Sequence, residues 1–412
     1  MFEWSEQHKQ IRDMLRRFVQ AEIVPHREAL EFGDMPPYDI LRKLLRTFGV
    51  DEMAKAQFQA DLAREKSGAP PKEKKVRTEF SQGAADAAAM RILPIIEISR
   101  HSPGLITALG VSIGLTAGAI MKKGTIEQKE RFVPPLLALE KVGAWAITEP
   151  GAGSDAFGAM RASARRDGDD YVLNGNKTFI TNGPFADTIV FICKLDDGRP
   201  PEARKVLTFI LDGDTPGLVR SKPLRKMGLH ASPTGELFLS DVRVPRSRLL
   251  GETEDAPSRE GAKETFTNER TAVAAMALGI VERCVELCTD YAKTRVQFGR
   301  PIGDFQLIQL KLAKMAVARA NIQNLVFRQI ELAGWGRTMD LAEASACKLY
   351  SAQAAMECCL EAVQLFGGNG YMAEYQVEQL CRDAKVLQIY GGTDEIQISQ
   401  IARTLLADDI RS

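Results

Sequence analysis

The sequence predicts an α+β chain in three parts: an N-terminal helical domain over 1–143, a middle antiparallel β-barrel or sandwich domain over 144–256, and a C-terminal helical bundle over 257–412. Three observations carry this reading. Apolar residues recur at helical spacing in the first and last parts. Between them the texture changes to short runs of β-branched and aromatic residues divided by Asn- and Gly-containing turns. No helical pattern separates those runs, which points to strands that pair with their neighbours rather than to a helix-wrapped parallel sheet.

In the first part, Ile11, Met14, Leu15, Phe18 and Val19 fall on one helical face. An apolar helix is expected from Ile96 to Leu115, with His101 near its start. Gly124 closes a helix, and Thr125 with Gln128 makes the capping box of the next. The charged stretch from Arg64 to Lys75 contains Gly68, Pro70 and Pro71 and predicts an exposed loop. In the middle part, Tyr171 and Leu173 precede Asn174-Gly175, a strong hairpin-turn dipeptide. The strand of Lys177 to Thr181 follows, then a second turn at Asn182-Gly183 and strands at Thr188 to Ile192, Val206 to Leu211 and Glu236 to Val244. In the last part, long helices start near Phe266, Asp304 and Leu341, broken by Gly367-Gly368-Asn369-Gly370. A final helix follows Gly391-Gly392-Thr393.

Composition narrows the function. Lys plus Arg equals Asp plus Glu, 54 against 54, so the basic excess of a general nucleic-acid binder is lacking. The seven cysteines form no CxxC pair, which speaks against a zinc ribbon or a thioredoxin-type motif. They read as reduced, small core residues. Four histidines without ligand spacing predict no metal site. The chain opens on Met-Phe-Glu-Trp and a charged amphipathic helix, and no window is expected to approach about 18 uncharged apolar residues. Neither a leader nor a membrane span is therefore expected, and the expected location is cytoplasmic.

Four segments concentrate chemistry: Trp145-Ala-Ile-Thr-Glu-Pro-Gly-Ala-Gly-Ser-Asp155, Asn174-Gly-Asn-Lys-Thr-Phe-Ile-Thr-Asn182, Thr294-Arg-Val-Gln-Phe-Gly299 and Leu365-Phe-Gly-Gly-Asn-Gly-Tyr371. Gly151 and Gly153 remove side chains, so Ser154 and the nearby amides can approach a ligand. Thr148 and Thr181 set hydroxyls beside Trp145 and Phe179. Rings with a few hydroxyls suit a planar heteroaromatic cofactor; a turn with core aromatics in a barrel gives the same pattern. Neither GxGxxG nor a Walker loop is present, which removes those two phosphate-binding modes.

In this order and at these separations, the four segments resemble the acyl-CoA dehydrogenase family, and the similarity runs from about 90 to 405. The resemblance implies FAD as cofactor. Trp145, Thr148, Ser154, Phe179 and Thr181 would line its isoalloxazine. Arg295, Phe298 and Gln306, with Gln364, Gly367 and Gly368, match positions that hold pyrophosphate and adenosine across a subunit boundary. Thr393 and Glu395 match closing contacts from the last helix. An acyl-CoA substrate, a homotetramer and an electron-transferring flavoprotein as acceptor follow from the same resemblance, and Ser154 and Arg270 match positions near the CoA arm.

The base is the departure. Most members carry a glutamate in Tyr-Glu-Gly-Thr, whereas this chain has Tyr390-Gly391-Gly392-Thr393. Members resembling isovaleryl- and long-chain acyl-CoA dehydrogenases place it on a long helix before an arginine, matched here by Asn268-Glu269-Arg270. Glu269 is thus the expected base, set at the head of a helix with Val273, Ala274, Ala275 and Met276. The other reading is a surface glutamate paired with Arg270. Asp394 and Glu395 are rivals, although helix first turns favour acids without catalysis. A second departure is Met53 to Ala60, where members of this kind show a Gly-Gly-rich loop. Two alternatives stay open: an O₂-using acyl-CoA oxidase of the same fold, and a non-catalytic thioester- or flavin-binding protein. A carrier-protein thioester in place of CoA is a further variant, since the basic segment from Lys72 to Arg77 leaves room for an acidic carrier.

Overall fold

The computed structural model describes residues 2–33, 35–68, 76–255 and 258–407, with backbone alone for 258–268. The first eight helices are α1 (Glu6–Phe18), α2 (Arg27–Phe32), α3 (Tyr38–Thr47), α4 (Val50–Lys66), α5 (Gln82–Ser99), α6 (Pro103–Leu109), α7 (Gly118–Lys123) and α8 (Ile126–Leu137). Helix α1 starts at a reciprocal Ser5–His8 cap and buries Leu15 and Phe18, with Val19 just beyond. Met14, expected on that face, points outward at 46 % exposure. The Thr125–Gln128 capping box forms as the sequence indicates.

Three expectations change here. Helix α4 runs through Arg64–Lys66, so the predicted loop begins later, and 69–75 lie outside the described residues. The same helix takes up the stretch from Met53 to Ala60. The single helix expected from Ile96 to Leu115 breaks at Arg100–Ser102, where Pro103 opens a new one; Pro at a helix start has no N–H to lose and a φ already set. Finally, Pro103 to Met121 holds no charged residue, contrary to the expectation that no such window exists. By length and hydropathy this segment could cross a membrane. Here it runs from α6 through a π-helical stretch, Gly110–Ala117, into α7 and packs on the β domain. Ser112 Oγ accepts the Gly143 N–H at 2.9 Å, and the Asn182 side-chain amide donates to Ala108 O at 2.9 Å.

The middle domain is a curled seven-stranded sheet: β1 (Gly143–Ala146), β2 (Ser163–Asp167), β3 (Asp170–Thr181), β4 (Thr188–Leu195), β5 (Val206–Asp212), β6 (Leu218–Arg220) and β7 (Thr234–Pro245). Its order is β1-β4-β2-β3-β7-β6, with β5 on the other edge of β4. It is antiparallel except where β4 takes β1 and β2 in parallel. Asn174-Gly175 does not turn the chain. The β2–β3 hairpin closes at Gly168-Asp169, with Gly168 at φ +62°. Asn174 instead caps an extra residue in β7: its side chain accepts the Asp241 N–H at 2.9 Å and donates to the Asp241 carboxylate at 3.0 Å. Gly175 is needed because a Cβ there would sit 2.6 Å from that of Ala162. The second expected turn, at Asn182-Gly183, is present, and its Asn182 also accepts the Tyr38 hydroxyl at 3.0 Å, tying α3 to the sheet.

The third domain consists of α9 (Ser258–Thr294), a short hairpin β8 (Val296–Gln297) and β9 (Arg300–Pro301), then α10 (Gln306–Gly334), α11 (Leu341–Phe366), α12 (Gln376–Lys385) and α13 (Asp394–Ala407). Helix α9 begins before the expected Phe266 and shares one core with α5, α10 and α11. It lies tight on α5, for a Cβ on Gly279 would be 2.2 Å from Ile96 O. All seven cysteines are free, six of them buried, and Cys284 and Cys359 pack sulfur to sulfur at 3.7 Å.

One buried ion pair ties the loop after β1 to the sheet. Lys177 on β3 is fully buried, and its Nζ donates to Glu149 Oε1 at 2.8 Å and Ile147 O at 2.9 Å. Glu149 also accepts the N–H groups of Arg161 (2.7 Å) and Ala162 (3.0 Å) at the loop's far end. Burial pulls the Lys177 pKa down and Glu149 opposes it. Removing one partner strands a buried charge, a loss of about 3–5 kcal/mol. Lys177→Met should therefore lower the thermal midpoint by several degrees and loosen 147–162, read by faster deuterium exchange there.

Candidate functional site

The residues singled out by sequence fall into three groups. The first lies on the β domain. Trp145 sits on β1 beside Val190, and Thr148 follows on the loop held by Glu149. The Thr178 N–H donates to Thr148 O at 3.0 Å, so this loop lies alongside the end of β3. There β3 carries an extra residue between Lys177 and Ile180, and Phe179 takes φ +56°. Bulges re-aim side chains, and this one turns the Phe179 ring out to 68 % exposure while Thr181 stays half-buried. Ser154 is exposed on the loop crest. Gly151 and Gly153 on either side would carry a Cβ that met nothing within 4 Å, which leaves the approach to the backbone open.

The second group lies at the surface of the C-terminal bundle. Arg295 follows α9, and Phe298 tips the β8–β9 hairpin at 94 % exposure, above Phe305 at 6.0 Å between ring centroids. Gln306 opens α10 and is exposed. Gln364, Gly367 and Gly368 end α11, where Gly367 at φ +61° breaks the helix. A Cβ on either glycine would again meet nothing within 4 Å. Tyr291, unremarked in the sequence, joins these pieces. Its ring stacks on Phe366 at 4.0 Å, and its hydroxyl accepts from the Asn369 side chain at 2.9 Å. One aromatic thus fixes the glycine turn to the end of the helix that presents Arg295. Both groups offer open backbone, an exposed ring and hydrogen-bonding side chains, a fit to a long, flat, phosphorylated cofactor.

The third group surrounds Glu269. This residue is not in a helix first turn, as expected, but about three turns into α9. It is half-buried, and burial raises its pKa to about 6, against the opposing charges of Arg270 and Lys348. Its carboxyl carbon lies 3.5 Å from where a Cβ on Gly391 would stand. Positions 269 and 391 therefore open on the same space. Arg270 is buried, and its Nη1 donates to Ser345 Oγ at 2.9 Å, so the guanidinium is engaged inside the bundle. The pairing of Glu269 with Arg270 at the surface does not occur.

The rival carboxylates are otherwise employed. Asp394 is buried and accepts from Lys348 at 3.3 Å and from Gln353 and Gln388 at 3.2 Å each. Glu395 is exposed, and hydrogen bonds from its own N–H and from Thr393 lower its pKa. Thr393 stands half-buried at the start of α13 and accepts the Ile396 N–H at 3.4 Å. His101 is buried in the break before α6, where desolvation pulls its pKa down to about 3.

Comparisons with known proteins point to one family. Family models for the N-terminal, middle and C-terminal domains of acyl-CoA dehydrogenase match residues 76–140, 144–242 and 260–406. An acyl-CoA dehydrogenase of Bacillus subtilis (strain 168) is 38% identical over 404 residues, spanning 98% of each chain. Butyryl-CoA dehydrogenase from Megasphaera elsdenii aligns at a TM-score of 0.80 and 32% identity, covering 98% of this chain and 100% of that one. An acyl-CoA dehydrogenase complexed with FAD from Bacillus anthracis aligns at 0.78 and 30% identity, over 98% of this chain and 67% of that one. With three family domains in series and a relative alike from end to end, the chain belongs to the acyl-CoA dehydrogenase family, FAD-dependent oxidoreductases acting on the CH–CH bond of acyl-CoA thioesters.

Proposed function

We propose that the protein desaturates an acyl-CoA thioester to its 2-enoyl product, with Glu269 taking the α-proton. The observation that carries this is the meeting of Glu269 with Gly391: the carboxyl absent from the turn is supplied from α9 at 3.5 Å from the vacated position. A base works best with a pKa near the operating pH, and burial moves Glu269 toward that range. The half-buried carboxyl keeps access to a ligand while water is largely kept from it.

FAD, when bound, supplies the hydride acceptor for the β-carbon. Thr148 and Thr181 would hold the edge of its ring system, with Trp145, Ser154 and Phe179 around it. Arg295 offers a guanidinium fork for the pyrophosphate, and Phe298, Gln306, Gln364, Gly367 and Gly368 the surface for the rest. The first set lies on the β domain and the second on the bundle, which fits a site completed between subunits of a homotetramer. Thr393 and Glu395 would close the site from α13, and Ser154 would meet the CoA arm. Arg270, held inside the bundle by Ser345, sets its positive charge near Glu269. The acceptor we propose is an electron-transferring flavoprotein, tested by whether it reoxidises the reduced enzyme faster than O₂ does.

The decisive experiment is anaerobic titration of the FAD-loaded protein with a panel of saturated acyl-CoAs. Bleaching of the flavin band by one of them is the expected result; bound flavin that none of them bleaches goes against the proposal. Glu269→Gln should keep the flavin and slow its reduction by about 10²–10⁴-fold. The sign of the pH dependence follows from the raised pKa: only the carboxylate accepts a proton. The reduction rate should be level above about pH 6 and drop about tenfold per unit below it.

A further inference from the structure

Beneath the Gly391–Gly392 turn lies a cation that the reaction as described does not use. Lys348 on α11 is fully buried, one helical turn from Ser345, the partner of Arg270. Its Nζ donates to Gly392 O at 2.9 Å and to Asp394 Oδ1 at 3.3 Å. The side-chain amide of Gln397, also fully buried, donates to the same Gly392 carbonyl at 2.7 Å and to Gly391 O at 3.1 Å. Both glycines have left-handed backbone, at φ +62° and +87°. Two consecutive left-handed residues are a loose segment by themselves, and here their carbonyls are held from below by three buried donor contacts. An interior ammonium is costly to desolvate, whereas a neutral donor such as Gln397 already reaches the same carbonyl. Asp394 balances that charge; its place beneath this turn has a further explanation.

That explanation lies on the other side of the turn. Gly391 faces the Glu269 carboxyl, and Lys348 and Arg270 are the cations whose fields reach it. The Tyr390 phenol, donating to Met276 Sδ at 3.3 Å, is the titratable group that faces Glu269 from the turn. Around Lys348 the charged groups are Asp394, Arg270 and Glu269.

We propose that Lys348 is a positioning residue for the dehydrogenation: its buried ammonium locks the Gly391–Gly392 turn against the Glu269 carboxyl and stabilises that carboxylate in its ionised, proton-accepting form. The proposal rests on Glu269 being the base. A cation beside a carboxylate favours the charged form, so removing it makes Glu269 hold its proton to higher pH. In FAD-loaded Lys348→Gln, which keeps a donor but loses the charge, the acid limb of flavin reduction should move up by about half a pH unit or more. Lys348→Met should shift it likewise and also speed deuterium exchange over 386–397, with or without flavin. An unmoved limb in Lys348→Gln, or wild-type exchange over 386–397 in Lys348→Met, overturns the proposal. The reading of Glu269 as base fails separately, through wild-type reduction by Glu269→Gln.

Discussion

The candidate flavin-facing surface depends on a charge pair buried beneath it. The loop from Ile147 to Ala162 is rich in glycine, and its apolar anchorage is a small cluster of Ile147 and Met160 with Ile192. Glu149 and Lys177 tie its two ends to the sheet beside that cluster. One carboxylate accepts from the ammonium below and from two amides at the loop's return, and the ammonium lies over the Phe191 ring at 5.3 Å. A buried pair is seldom the most stable filling for a core. Its use here is geometric, since it holds Thr148 beside β3 while Gly151, Gly153 and Ser154 remain uncovered.

The bundle solves a similar problem with different chemistry. Tyr291 fastens the glycine turn after α11 by stacking and two hydrogen bonds, and Lys348 with Gln397 fastens the turn before α13. In all three places a flexible, glycine-bearing segment is left open on one side and anchored by a large or charged residue on the other. Open backbone suits close approach by a ligand. Anchoring keeps the entropy of ordering that backbone from being charged to binding.

Much of this was legible in the sequence. The three-part architecture, the Thr125–Gln128 cap, the break at Gly367 and the start of α13 rest on local signals, namely periodicity, caps and turn residues. Glu269 was legible through the paired anomaly of Gly391 and the Glu-Arg on the long helix. Failures came where tertiary context outweighed a local rule. Asn174-Gly175 has hairpin chemistry, yet it serves a bulge in a neighbouring strand 67 residues away. The uncharged run before Lys122 carries hydroxyls that are polar in sequence, yet Ser112 and Thr116 are satisfied inside the fold. Lys177 did carry a signal: in strand alternation it shares the inward phase of Tyr171 and Leu173, and an inward lysine demands a partner. Tyr291 and Lys348 sit in ordinary helical patterns, and only three-dimensional contact distinguishes them.

The contact of Gly279 with Ile96 has a mechanical consequence. A base carried on a turn is aimed by a few torsions close at hand. Glu269 is carried on a 37-residue rod whose backbone is pressed against a second helix at Gly279, with no side chain between them to act as a cushion. The aim of the carboxyl is then inherited from the docking of two whole domains, and a small roll of the rod at its fulcrum would become a displacement of that carboxyl relative to Gly391.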